Sequence, residues 1–367
     1  SHKVIISTVS AECRAAIRDA LQRHGDVVSS EQPLVGSVSG EMHSRDVDEI
    51  AKHPCVTSVA SDATVRASAA PRAARAKRLT RKELEAAKNA PAPSQTLTNT
   101  LRDTLGLPHY AALDSSVPTG RGGIGIAVLD SGIAPSHDFG SRITAFYDFT
   151  RGGRATVPYD DYGHGTHIAG LIGSSGVLSN YEYQGVAPEV RLVGLKVLDR
   201  TGAGKTSDVI NAIEFVIANR WRLNVQVINL SLGHPIYAPA ADDPLVQAVE
   251  KATAAGLIVV TSAGNFGQKQ SDGTVGYAGI TSPGNAPSAI TVGAVMTKDT
   301  VTRLDDEVAP YSSRGPTWFD ALVKPDVVAP GHHLASDTNL SSHLYTLLQK
   351  NHVQSKNGQP LLFLSGS

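Results

Sequence analysis

The chain has 367 residues, 41% of them hydrophobic and 18% charged, with 34 glycines, enough apolar mass for one large folded unit plus a small one. A formal net charge of -1 gives no global attraction to nucleic acid or to an anionic membrane, and no apolar run approaches the ~20 residues of a membrane span. Ser1-His2-Lys3 carries neither an initiator methionine nor a signal peptide and reads as the start of a trimmed chain.

The opening residues have a tight rhythm. Lys3 to Ser7 reads as a strand and Ala11 to Arg23 as an amphipathic helix, with Ala15, Ala16, Ile17, Ala20 and Leu21 on one side and Gly25 ending it. Extended stretches are expected around Val27-Val28 and from Val35 to Val38, a short helix from Arg45 to Lys52, and a last extended stretch from Val56 to Val65. This β-α-β-β-α-β order predicts a small α+β, ferredoxin-like domain over residues 1–66. The chain's two cysteines, Cys13 and Cys55, fall inside it. They either pair or stand as two buried free thiols, and the sequence leaves both open. The cysteine-free remainder excludes an internal disulfide framework, a thiolate metal cluster and a cysteine nucleophile there.

Residues 67–98 change character. Alanine and basic residues dominate (Arg72, Arg75, Lys77, Arg78, Arg81, Lys82), Pro91-Ala92-Pro93-Ser94 interrupts them, and large apolar side chains are few. The stretch reads as an exposed linker with a partly helical centre and a protease-sensitive processing site. No aromatic residue interleaves its charges, so they read as solvated rather than as a nucleic-acid surface.

From Gly122 onward apolar strands alternate with helices. Ile124 to Leu129, Val190 to Val197, Val225 to Leu230, Leu257 to Thr261 and Ala289 to Val295 read as strands; His164 to Ile172, Ser207 to Asn219 and Pro244 to Ala255 read as helices. Strands without polar alternation are buried on both faces, which predicts an α/β domain, a parallel β-sheet sandwiched by helices. Thr206-Ser207-Asp208 offers an N-cap for the second helix. In such sheets ligands sit beyond the carboxyl ends of the strands. Asp130, Asn229 to Gly233 and Gly264-Asn265 fall there on three strands, next to a helix opening Gly163-His164-Gly165-Thr166-His167. His167 reads as a packed helix residue, His137 as a turn anchor, and His332-His333 as loop residues rather than a metal pair.

Taken in order, Asp130-Ser131-Gly132, His164-Gly165-Thr166-His167-Ile168-Ala169-Gly170, Asn229-Leu230-Ser231-Leu232-Gly233 and Ser262-Ala263-Gly264-Asn265 resemble the signature blocks of the subtilisin-like serine proteases, the subtilases. Ser312 to Pro316, Lys324 to Gly331 and Leu364-Ser365-Gly366-Ser367 extend the resemblance, and residues 1–66, closing on Val59-Ala60-Ser61-Asp62-Ala63, are similar to the family's inhibitory propeptide. The resemblance implies a subtilisin-like catalytic domain over 99–367, incomplete at its C-terminus, with a triad in the order Asp, His, Ser. It makes His164 the general base, Asp130 the group that orients it, and Asn265 the amide donor of the oxyanion hole. Gly202-Ala203-Gly204 and Ser231-Leu232-Gly233 become the two segments that hold an extended peptide by strand addition. The nucleophilic serine is expected directly after Ser367; Ser367 itself serves only if one residue has been deleted.

The same resemblance implies a secreted serine endopeptidase in zymogen form, with peptide or protein substrates and its own propeptide as intramolecular inhibitor. It implies no catalytic cofactor, and structural calcium whose ligands are unassigned; 174–185 departs from the usual calcium loop. An inactive, peptide- or partner-binding relative is the alternative. An acid-active serine-carboxyl protease does not fit, because its glutamate base is replaced here by His164.

Overall fold

The computed structural model describes residues 1–68, 100–109, 123–269 and 272–367. The linker reading for 69–98 lies outside the described residues. In the N-terminal unit, β1 (His2–Thr8), β2 (Val27–Gln32), β3 (Ser37–Met42) and β4 (Val56–Ser61) form an antiparallel sheet in the order β2-β3-β1-β4. Helix α1 (Ala11–Arg23) starts where Ser10 Oγ accepts the Cys13 N–H, and its Ile17 and Leu21 bury against Val4, Ile6, Val38 and Met42. This is the expected ferredoxin-like order.

Several boundaries move. The third strand begins at Ser37, not Val35, because Leu34 to Gly36 form a turn with Gly36 at φ +68°. The second helix shrinks to a 3-10 turn at Ser44–Asp46 and α2 (Val47–Ile50). The stretch from Val56 to Val65 breaks at Asp62-Ala63: β4 ends at Ser61, and β5 (Thr64–Ala67) leaves the N-terminal sheet for the larger unit. Residues 64–66 therefore do not complete the small domain, and Ala67 and Ser68 are not exposed linker.

The cysteines pair. Cys13–Cys55 ties the first turn of α1 to the chain just before β4, across 42 residues.

The larger unit is built on β6 (Gly125–Asp130), β7 (Ile143–Asp148), β8 (Arg154–Ala155), β9 (Arg191–Lys196), β11 (Val227–Leu230), β13 (Ile258–Ser262), β15 (Ile290–Met296), β16 (Glu307–Val308) and β17 (Val327–Pro330). The run β15-β13-β11-β6-β9-β7 is parallel, and β8 and β16 close its edges antiparallel. Alternate residues of β6 face opposite layers. Ala127 and Leu129 join the core with α5 (Thr206–Leu223) and α6 (Pro244–Ala254), while Val128 joins that of α4 (His164–Gly173). Burial on both faces accounts for the unbroken apolar runs.

The small unit docks on α5. No side chain of Thr206-Ser207-Asp208 caps that helix; instead the Asp62 carboxylate accepts from Ser207 N (2.9 Å) and Ser207 Oγ (2.8 Å). A carboxylate is favoured at that end by the free N–H groups and the helix dipole. Glu214 accepts from Leu34 N and Val35 N, and Asn211 bonds Gln32 and Ser30. The cap sought in the helix's own sequence comes from another domain.

A cross-link across 42 residues stabilises by about 4 kcal/mol through the unfolded chain. Cys13→Ser with Cys55→Ser should lower the stability of the N-terminal unit by that amount, read by amide hydrogen exchange in β1 and β3. Unchanged protection would show that the core alone holds the unit.

Candidate active site

Asp130 ends β6 and His164 opens α4, so two elements of opposite layers deliver the pair. Both side chains are fully buried, and His164 Nδ1 lies 2.7 and 2.8 Å from the two Asp130 oxygens. A carboxylate only accepts, so Nδ1 carries the proton and Nε2 presents its lone pair. Nε2 is buried and has no hydrogen-bond partner among the described residues.

Close approach of the two backbones makes this contact. A Cβ on Gly165 would stand 2.0 Å from the Gly132 carbonyl oxygen, so only glycine fits. Two residues not singled out in the sequence hold the arrangement. Ser131 Oγ accepts from Gly165 N (2.9 Å) and donates to Asp160 (2.9 Å). Asp160 accepts from Tyr162 N, Gly163 N, Thr166 N and Thr166 Oγ1, which ties down the start of α4. Burial raises its carboxyl above the usual range, against the lowering effect of the bonds from Gly163 and Thr166. The readable signal was an acid shortly before a helix start. Beneath the pair, the buried Lys196 Nζ donates to Ser131 O, Leu198 O and Asp161.

The cleft lies between β10 (Ala203–Lys205) and β12 (Leu232–Pro235), where the two expected peptide-holding segments sit. Strand β5 fills it, antiparallel to both, with Ala203 opposite Arg66, Gly204 opposite Val65, Leu232 opposite Ala67 and Gly233 opposite Arg66. Ala67 N donates to Gly202 O (3.1 Å) and Ser68 N to Ser231 O (2.9 Å). Gly202 has φ +73°, and a Cβ there would meet the Tyr162 ring at 2.3 Å, so this turn also requires glycine.

Asn265 closes the end of the cleft. Its Nδ2 donates to the Ser68 carbonyl, and its Oδ1 accepts from Ser367 N (3.2 Å) and lies 3.2 Å from Ser367 Oγ. Ser367 Oγ also accepts from Gly264 N and donates to Gly264 O, both at 2.9 Å. The structure thus pairs Asp130 with His164, and gathers Asn265, Gly202, Ala203, Gly204, Ser231, Leu232 and Gly233 around residues 64–68. Ser367 is spent on positioning Asn265, not on His164.

His137 is exposed, and among the described residues Ser136 holds that turn, with its Oγ accepting from Asp138 N and its carbonyl from Phe139 N and Gly140 N. His332 and His333 stack at 4.0 Å in a loop. Carbonyls around 174–185 are engaged by the chain's own donors: Gly185 N on Ser174 O, Gln184 Nε2 on Ser175 O, Ser179 N on Gly176 O and Asn357 Nδ2 on Leu178 O. Arg102 donates to Gly185 O and Val186 O, and Arg142 to Gly173 O and Asp138 O. Asp138 also receives Leu178 N and Ser175 Oγ. Carbonyls already engaged by guanidinium, amide and N–H donors are not free to ligate a calcium ion.

His167 packs inside α4, with Nε2–H donating to Leu334 O at 2.9 Å and Nδ1 buried without a hydrogen-bond partner among the described residues. Burial, its main cause, pushes the imidazole down to about 4. The unfolded chain takes up that proton below about 6.5, so stability should fall as pH drops from about 6.5 to 4, by up to about 3 kcal/mol. His167→Gln, which can still donate to Leu334 O, should remove one proton from the slope of unfolding free energy against pH in that window. Parallel slopes for the two proteins would show that His167 protonates freely in the fold.

The profile of the subtilase family (peptidase S8) matches residues 121–359. The serine protease AprX of Bacillus subtilis (strain 168) is 40% identical over 243 residues, 65% of this chain and 52% of that protein. Subtilisin E of the same strain is 33% identical over 335 residues, 90% of this chain and 70% of that protein. Fervidolysin from Fervidobacterium pennivorans, described as a keratinolytic enzyme related to subtilisin, shares the fold with TM-score 0.67 at 19% identity, over 100% of this chain and 52% of that one. The chain spans about half the length of AprX and of fervidolysin. Among the described residues no helix is long and apolar enough to cross a membrane.

Proposed function

The chain belongs to the subtilase family, and from that premise we propose that it is a serine endopeptidase in zymogen form, with residues 1–68 as its own inhibitor. His164 Nε2 takes the proton of the nucleophile and returns it to the leaving amine. Asp130 holds the Nδ1–H tautomer and stabilises the imidazolium that forms. Asn265 Nδ2 donates to the oxyanion. The nucleophile is the serine that the family pattern sets directly after Ser367, in keeping with the Ser367 hydroxyl being engaged by Gly264. No step passes through a metal or cofactor.

One observation carries this reading: the chain's own strand β5 lies in the cleft as a substrate would. Its backbone pairs with both rims, and the Ser68 carbonyl rests on the Asn265 amide. The carbonyl that receives the oxyanion donor is the one under attack, so processing falls on the bond after Ser68. The Cys13–Cys55 disulfide supports a secreted location, since such bonds persist in oxidising compartments.

The full-length protein, incubated and followed by intact mass and N-terminal sequencing, should cut itself after Ser68. His164→Ala should leave it whole, and Asn265→Leu should slow the cut about 10²–10³-fold, the loss this family shows when that donor is removed. A fluorophosphonate should label the processed wild type. Processing that persists in His164→Ala, or a chain that never takes the label, would instead indicate a peptide-binding relative without catalysis.

A further inference from the structure

Strand β5 also reports what each part of the cleft accepts. Val65 is 0% exposed and Ala67 7%, while the alternate residues Thr64 and Arg66 are exposed. Val65 belongs to the main hydrophobic core, in the same cluster as Leu198, Val209, Leu232 and Tyr162. Ser68 meets a different surface. Its Oγ lies 2.6 Å from Ser262 Oγ, and Ser262, at the end of β13, is 5% exposed. Beside it, Thr281 is buried and packs so closely that a Cβ on Gly264 would stand 2.7 Å from its methyl group and 2.9 Å from its hydroxyl.

We propose that Ser262 makes this cleft select a small, hydroxyl-bearing residue immediately before the cut, with a branched aliphatic residue three positions upstream of it. The preferred substrate class is an extended segment of the type Val-X-Ala-Ser. The inference rests on the protease reading above and deepens it. A large apolar residue in place of Ser68 would strip water from the Ser262 hydroxyl and return no hydrogen bond, and leaving a buried hydroxyl unpaired is costly. A polar or charged residue in place of Val65 would be buried against the apolar core and lose its hydration. Main-chain pairing with β10 and β12 binds any sequence, so discrimination falls to these two side chains.

The test uses the processed enzyme and succinyl-Val-Arg-Ala-X p-nitroanilides, with X as Ser, Ala, Leu or Phe, plus the Ser peptide with Lys in place of Val. The expected order of kcat/KM is Ser first, Ala about fivefold lower, as for one neutral hydrogen bond, and Leu and Phe at least about tenfold lower. The Lys peptide should fall by at least about tenfold. Ser262→Ala should erase the advantage of Ser over Ala while the dependence on Val stays. A wild type that prefers Leu or Phe overturns the proposal, as does a Ser-to-Ala ratio unchanged in Ser262→Ala; in both cases hydrolysis itself still stands. Failure of every peptide, with no fluorophosphonate labelling, overturns the protease reading and this inference with it.

Discussion

A fully buried carboxylate touching a fully buried imidazole is the constraint on which the rest of the site depends. Taking both groups out of water is expensive unless their partners are set in advance. The structure supplies those partners from several directions: Ser131 N on Asp130, Ser131 Oγ on Gly165 N, and Asp160 accepting from Tyr162 N and Gly163 N just before α4 and from Thr166 N and Oγ1 in its first turn. Gly165 removes the side chain that would hold β6 and α4 apart. A larger residue at that position would separate Asp130 from His164 before it disturbed either one. The geometry of the pair is therefore a property of two backbones, and the side chains inherit it.

The second organising element is a sheet left open by one strand. β10 and β12 present edges to each other, and a third strand between them satisfies both. Exposed edges of this kind attract any extended chain, and here the protein's own residues 64–67 take the place. The same few residues that leave the N-terminal sheet also bring Asp62 to the N-terminus of α5. Filling the cleft and capping the helix are thus one event in the chain, set by the break at Asp62-Ala63.

Much of this was legible because its cause is local. The apolar strands were placed to within about two residues, since burial on both faces leaves no polar residue inside them, and the end of α1 was marked by Gly25. Asp130, His164 and Asn265 stood out as polar residues at the ends of such strands or at a glycine-flanked helix start. What was not legible depends on partners distant in sequence. The cap of α5 comes from Asp62, about 145 residues away, and nothing near Thr206 announces it. The break that frees β5 falls within a continuous β-favouring run and shows only against the strands it joins. The pairing of Cys13 with Cys55 needed the position of α1 on the sheet. His137 looked like an anchor because of its neighbours, and the hydrogen bonds came from Ser136 instead.

On the proposed reading, cutting after Ser68 does not by itself open the cleft. The bond lies beyond the last residue of β5, so the pairings of Arg66 and Ala67, the bond of Asp62 to Ser207, and the bonds of Glu214 and Asn211 to the small unit are untouched by hydrolysis. What changes is entropy: the small unit is no longer tethered, and its residence in the cleft becomes an ordinary binding equilibrium. That equilibrium favours the bound state for as long as the small unit stays folded, because β5 and Asp62 are presented together only by the end of β4. The disulfide that secures α1 against β4 then acts on inhibition through folding, by lowering the population of unfolded inhibitor that would vacate the cleft. Activation is governed less by the first cut than by the stability of the domain that remains after it.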